Sequence, residues 1–293
     1  MIESFLKYLQ FEKRLSSNTV LAYQIDLEQF RSFLLANYPD HAAETADFGI
    51  IRSWIIQLVE NKIGPSSVNR KIACLRSFYK FLLRQNVISK DPTLKIKPLK
   101  APKKLPSFIK ENDMAEVLDR SDADMSSFTG IRDKLVMELF YGTGIRLSEL
   151  ITLKESDVDL RGRTIKVLGK RNKERVVPFS TGLSKLIALY IQVKHQEIHK
   201  DEIRNLLVTD SGDACYPQLI YRIVKRGLRN TSSEKKSPHV LRHTYATHLL
   251  DKGAEINAVK DLLGHSSLAA TQIYTHNSLE KLKKAFDQAH PKA

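Results

Sequence analysis

His239 and Arg242 lie three residues apart in Ser237-Pro238-His239-Val240-Leu241-Arg242-His243, so a helix would carry both on one face. Ser237 is a suitable N-cap, and Pro238 suits the first helical position. The pair then falls in a first turn, where free backbone N–H groups and the helix dipole favour an anion. A guanidinium, an imidazole and a helix N-terminus together make a candidate phosphate site. His239 and His243 also have the spacing of a zinc-binding pair. That motif, H-E-x-x-H, needs glutamate where this chain has Val240. No metal is expected, and His243 and His248 are read as structural, each with a hydrogen-bond partner.

A second arginine, Arg146, follows Gly142-Thr143-Gly144-Ile145, with Glu149 one helical turn away to orient it. The glycine turn is not a nucleotide-binding loop, because no Gly-Lys-Ser/Thr follows at the required spacing. Alone, such a pair would be an ordinary helix ion pair. Lys170 sits in the basic turn Gly169-Lys170-Arg171-Asn172, which alone would be a solvated turn. His265 follows Leu263-Gly264 at a helix boundary, and Tyr274 comes nine residues later. A single tyrosine among ten would ordinarily be structural.

The elements that must carry these groups are legible in outline. Residues 132–141 read as a helix running into the glycine turn, and a second helix starts at Leu147. Alternation over 160–168 and again over 175–178 predicts a small antiparallel sheet, with Lys170 at a hairpin turn. Helices resume near Leu183. Gly253 and Gly264 can each end a helix, and a further helix after Ser266 or Ser267 would carry Tyr274. The N-terminal part reads as all-helical. Asp47 can cap a helix of Ile50, Ile51, Trp54, Ile55 and Leu58, with Trp54 in the core. After Gly64-Pro65, a helix from near Ser66 carries the stripe Val68, Ile72, Leu75, Tyr79 and Leu82. Arg76, Lys80 and Arg84 lie on a different face, available to a DNA backbone or simply to solvent. Residues 97–106, with three prolines and four lysines, read as an extended basic linker between a smaller part, 1–96, and a larger one, 107–293.

Composition narrows the class. A chain of 293 residues with 42% apolar content can build one or two domains, each large enough for its own core. Lys and Arg total 47 against 33 Asp and Glu, a formal +14 that favours a polyanionic partner. Two cysteines without C-x-x-C spacing argue against a disulfide scaffold or zinc knuckle. The N-terminus does not read as a secretory signal, and no apolar run is long enough to span a bilayer, so a cytoplasmic location is expected.

In order along the chain, these groups resemble one family. Gly142-Thr143-Gly144-Ile145-Arg146-Leu147-Ser148-Glu149-Leu150 resembles the first arginine motif of the tyrosine recombinases, the phage integrase family. Gly169-Lys170 resembles their catalytic lysine turn, and the run Ser237 to Leu249 their H-x-x-R motif. Leu263-Gly264-His265 and Tyr274 match the second histidine and the nucleophile. Asn18 to Leu27 and Ser66 to Lys71 are similar to the helical core-binding domain. Within the family the chain looks most like the Xer group, the bacterial chromosome-dimer resolvases. It departs at Arg171, where many relatives have glycine; Lys173 is then the alternative to Lys170.

The resemblance implies a mainly α fold with a small antiparallel sheet: a helical core-binding domain plus an α+β catalytic domain of the tyrosine recombinase and type IB topoisomerase type. It implies that Tyr274 attacks a DNA phosphodiester, leaving a 3′-phosphotyrosyl enzyme and a free 5′-hydroxyl. Arg146 and Arg242 would hold the phosphate, with Glu149 behind them. His239 would take the phenol proton or contact the phosphate, His265 would add a contact, and Lys170 would protonate the leaving oxygen. No cofactor, metal or ATP is expected. Arg70, Lys71, Arg76, Lys80 and Arg84 are the expected DNA-binding cations. Two domains would clamp a double-stranded recombination site, and four protomers, identical or of two related kinds, would pair two sites. The tail 285–293 with Phe286 would dock on a neighbouring protomer, and a DNA translocase is a possible activator. Resolution of chromosome or plasmid dimers is the expected role. The alternatives are a mobile-element integrase, a type IB topoisomerase, or a non-catalytic DNA-binding regulator on the same scaffold.

Overall fold

A computed structural model describes residues 1–102, 107–119, 124–169, 174–199 and 204–264. The chain divides into two compact units, Met1–Lys104 and Leu105–Ala293.

The first unit is helical. Helix α1 (Ile2–Lys7) continues as a π-helical turn to Glu12, followed by α2 (Ser17–Asn37), α3 (Phe48–Glu60) and α4 (Pro65–Arg84). The Asp47 carboxylate accepts the Ile50 N–H at 2.9 Å and starts α3. Pro65 itself takes the first position of α4, one residue before the start read from the sequence, because its missing N–H costs nothing there. The stripe Val68, Ile72, Leu75, Tyr79 and Leu82 is buried, widened by Cys74, Phe78 and Phe81. Helix α4 is therefore the centre of this unit and packs on α1, α2 and α3. Trp54 lies in the core, its ring 4.9 Å from that of Phe30; burial of a side chain such as Phe30 contributes roughly 2–3 kcal/mol.

The stretch after Lys97 is not free at its start. Leu99 donates its N–H to the Asn69 side-chain oxygen at 2.7 Å, and the Asn69 amide donates back to the Leu99 carbonyl at 2.9 Å. An amide side chain can imitate a strand partner in this way, so α4 holds the chain beyond residue 96.

The second unit contains α5 (Glu111–Asp119), α6 (Phe128–Thr143), α7 (Leu147–Thr152), β1 (Val158–Asp159), β2 (Thr164–Leu168), β3 (Glu174–Pro178), α8 (Thr181–Glu197), α9 (Pro217–Gly227), α10 (Pro238–Asp251) and α11 (Ile256–Leu263). Helix α6 is apolar around most of its circumference and packs on α8, α9 and α10, as a core helix must. The sheet is antiparallel in the order β1-β2-β3. Its β2–β3 register pairs Ile165 with Val177 and Val167 with Arg175. Ile165, Val167 and Val177 face the core, and so does Arg175.

Helix α10 also fixes the start of the unit. The Ile109 N–H donates to the Thr244 hydroxyl at 3.0 Å, and the Ile109 carbonyl accepts from His248 Nε2 at 2.9 Å. A carbonyl can only accept, so Nε2 carries the hydrogen and Nδ1 accepts from the Tyr141 hydroxyl at 3.0 Å. Burial lowers the His248 pKa and keeps the ring neutral in this role. His248 is thus structural, and His243 is half-buried on the same helix. No helix among the described residues is long and apolar enough to cross a membrane.

Candidate active site

Helix α6 ends at Gly144, whose left-handed backbone (φ 59°) turns the chain towards Arg146. Arg146 occupies the N-cap position of α7. Its backbone N–H donates to Glu149 Oε2 at 2.7 Å, and its guanidinium NH1 donates to Glu149 Oε1 at 2.7 Å. The expected i, i+3 pair is therefore a capping carboxylate that also aims the guanidinium. The arginine keeps an exposed edge, its side chain 23% accessible, whereas the Glu149 side chain is buried.

Arg242 enters from α10 and is itself buried. Its guanidinium donates to the carbonyls of Gly144 and Leu263. Burial pushes its pKa down to about 10, helped by the like charges of Arg146 and Arg175, so it remains cationic at neutral pH. His239, one turn earlier, is exposed. Ser237 holds the N-cap position read from the sequence, but its hydroxyl makes no cap bond. The Ser237 carbonyl instead takes the N–H groups of Val240 and Leu241, at 3.0 and 3.3 Å.

The third guanidinium, Arg175, was not singled out from the sequence. It donates to both Glu149 oxygens, at 2.8 and 2.9 Å, and through Nε to the Leu262 carbonyl at 2.8 Å. Arg146 reaches the Gly264 carbonyl at 2.9 Å. Three consecutive carbonyls at the end of α11, those of Leu262, Leu263 and Gly264, thus receive Arg175, Arg242 and Arg146 in turn. These oxygens have no partner within the helix and sit at its negative pole, which favours cations. Three guanidiniums around one carboxylate leave a net charge of +2 for an anion. The strand pattern contained the signal for Arg175: residues 175 and 177 share a face, and Val177 must be inside.

Glu149 follows from the same geometry. Burial alone would raise its pKa, but Arg175 and Arg146 outweigh this and hold it at about 2. The folded value lies below the ordinary 4.5, so the pairing stabilises the fold above pH 4.5 and is lost as pH falls towards 2. The full effect is about 3 kcal/mol, with about 2 kcal/mol lost between pH 5 and pH 3. Urea unfolding of the full chain at those two pH values should show Glu149→Gln losing that much less than wild type. Parallel losses would contradict the pairing.

The expected DNA-binding cations are placed unequally. Lys71 is a correction: it is buried, and its ammonium is 2.7 Å from Asp26 and bonded to Gln29. An ammonium neutralised in the core is a packing group and cannot face a phosphate. Arg70 also binds Asp26 but remains partly exposed. Arg76 donates to the Ile96 carbonyl. Arg84 stands over the Tyr8 ring and 3.6 Å from Glu12, largely exposed, and Lys80 is exposed. Lys170, Lys173, His265, Tyr274 and the tail with Phe286 lie outside the described residues.

Comparison with known proteins gives consistent matches. Residues 107–281 match the phage integrase family, and residues 2–86 match the phage integrase N-terminal SAM-like domain. A tyrosine recombinase XerC of Chlorobaculum parvum is 37% identical over 100% of this chain and 94% of its own length. A tyrosine recombinase XerD of Staphylococcus saprophyticus is 36% identical, over 100% and 99%. The fold is similar to XerH recombinase bound to its palindromic difH substrate after cleavage, with a TM-score of 0.73, 20% identity and coverage of 97% and 93%. It is also similar to the Tn1549 transposon integrase in complex with transposon right-end DNA, with a TM-score of 0.70, 16% identity and coverage of 98% and 99%.

Proposed function

Because the chain belongs to the phage integrase family and is a Xer-type tyrosine recombinase, we propose that it cuts and rejoins a double-stranded DNA site through Tyr274, with Arg146 and Arg242 holding the scissile phosphate. The observation that carries this assignment is the convergence of Arg146, held by Glu149, and Arg242 on the carbonyls that end α11, directly before His265 in the chain.

A phosphodiester resists attack because it is anionic and its leaving alkoxide is basic. Arg146 and Arg242 donate to the non-bridging oxygens and stabilise the charge that grows in the transition state. The Tyr274 oxygen forms a bond to phosphorus as the bond to the 5′ oxygen breaks. His239 takes the phenol proton, Lys170 gives a proton to the departing 5′ oxygen, and His265 adds a phosphate contact. An ordinary phenol has a pKa near 10. The cationic surroundings make the phenolate accessible. The phosphoester is retained in the tyrosyl link, so a 5′-hydroxyl can reverse the step without nucleotide hydrolysis. The cationic side chains supply the charge stabilisation that a metal provides elsewhere.

Exposed Lys80, Arg84 and Arg70 are the cations of the first unit proposed to meet the DNA backbone. The proposed assembly is four protomers on two sites in the cytoplasm, serving resolution of chromosome or plasmid dimers. Full-length similarity to XerC and XerD proteins favours this role over that of a mobile-element integrase.

The test uses the full chain with a pool of duplexes, randomised in both arms and nicked so that the cut fragment diffuses away. With chelator and no nucleotide, covalent complexes should survive denaturation, share a recoverable DNA sequence, and map by mass spectrometry to Tyr274. No adduct, or one at another residue, would sink the assignment; binding without adduct would indicate a regulator.

A further inference from the structure

Arg175 has no place in the catalytic set read from the sequence, yet it touches both groups that hold Arg146. Its fork closes on the Glu149 carboxylate, the same carboxylate that accepts two donors from Arg146. Its side chain also lies under Gly264, where an added Cβ would come 3.1 Å from Arg175 Cδ, and the Gly264 carbonyl accepts the other end of Arg146. Each of its nitrogens already has an acceptor, and the residue is 4% exposed, so it is not a group that meets substrate.

Charge gives this arrangement a purpose. A carboxylate paired with Arg146 alone would cancel the charge that Arg146 must present to a phosphate. A second guanidinium on the same carboxylate supplies the missing cation, and it does so from the inward face of β3, where packing fixes its pose. We propose that Arg175 is a positioning residue that neutralises Glu149 and seats the Leu262–Gly264 turn, so that Arg146 faces the scissile phosphate as an uncancelled, fixed cation. The inference rests on the assignment of Arg146 to the phosphate made above.

The test compares wild type, Arg175→Gln, Arg175→Lys and the double variant Arg175→Gln/Glu149→Gln, all as full chains. The substrate is the nicked duplex recovered by the adduct capture. Two quantities are measured: Kd for the duplex and the rate of Tyr274 adduct formation at saturating DNA. Arg175→Gln is expected to slow the adduct rate roughly 10–100-fold, the range for removing a group that orients a site's direct ligand, with Kd within about threefold. Removing the stranded carboxylate should then help, so the double variant is expected to be faster than Arg175→Gln by roughly tenfold, a fraction of what complete loss of a preorganised donor costs. A purely architectural role predicts the opposite, since the double variant has lost both partners. Arg175→Lys keeps the charge without the fork and should fall between wild type and glutamine.

A glutamine variant with the wild-type rate, a defect confined to Kd, or a double variant no faster than the single would overturn the inference. If the glutamine variant does not fold, Arg175→Lys decides: a slower rate at saturation with unchanged Kd supports it, and a wild-type rate overturns it. Failure of wild type to form any Tyr274 adduct would instead sink the underlying assignment, and this inference with it.

Discussion

Replacing Arg242 with alanine is expected to slow Tyr274 adduct formation by roughly a hundred- to a thousandfold, the range for deleting one preorganised donor to a charged transition state. The reasoning starts from its placement. A buried guanidinium next to two others is held at about 10 rather than its usual pKa, a sign of repulsion and desolvation that an incoming phosphate would relieve. Its two carbonyl partners, Gly144 and Leu263, fix the plane of the fork before substrate arrives. Truncation also strands those oxygens, at a cost of about 1–3 kcal/mol. Relief of repulsion with Arg146 and Arg175 offsets part of this, so the variant should fold. Duplex affinity should fall little, with the salt dependence of binding reduced by the slope of about 0.9 that one phosphate contact contributes. Arg242→Lys keeps the charge but cannot span both carbonyls, and should recover only part of the rate. Rates are read against Tyr274→Phe as zero. A rate for Arg242→Ala within about threefold of wild type, against the loss expected for a transition-state donor, would remove Arg242 from the mechanism.

The sequence is legible where the deciding information is local. The Asp47 cap, the α4 stripe and the Arg146–Glu149 spacing each lie within a few residues, and periodicity is enough to see them. It is silent where the deciding partner is distant. Lys71 looked like one more surface cation because Asp26, 45 residues away, gives no local sign that it will cross to α4. Arg175 was hidden for a related reason. Its strand position puts it on the inward face with Val177, but nothing nearby in the sequence indicates a buried carboxylate to receive it, and a strand cation is ordinarily solvated. That Asn69 holds Leu99 at the start of the linker was likewise out of reach, because composition carries no sign of it. The site follows the same division: Arg146 and Arg242 were visible within motifs, whereas their meeting at the end of α11 is a tertiary fact.

Substituting Gly144 with alanine is expected to destabilise the second unit by roughly 2–5 kcal/mol. Part of this is backbone strain, since a Cβ at φ 59° costs about 1–2 kcal/mol. The rest is steric. The new methyl would lie 2.4 Å from Tyr245 Cδ1, 2.8 Å from Cε1 and 3.0 Å from Leu263 Cδ2. Tyr245 is fully buried and cannot swing away, so overpacking adds about 1–3 kcal/mol. Gly253 separates the two contributions, because it also has positive φ, 88°, but nothing lies within 4 Å of its added Cβ. Gly253→Ala should therefore cost only the strain, about 1–2 kcal/mol. In calorimetry of the full chain, Gly144→Ala should lower the transition of the second unit by roughly 5–15 °C and Gly253→Ala by only a few degrees. Catalysis should separate them further. The Gly144 carbonyl holds Arg242 and its turn delivers Arg146, so any shift that relieves the clash moves both guanidiniums away from the phosphate they are proposed to share. A few tenths of an ångström matters where rate depends on preorganised donors. Equal losses of stability at the two glycines would show that Tyr245 yields, and that this contact does not set the arginine geometry.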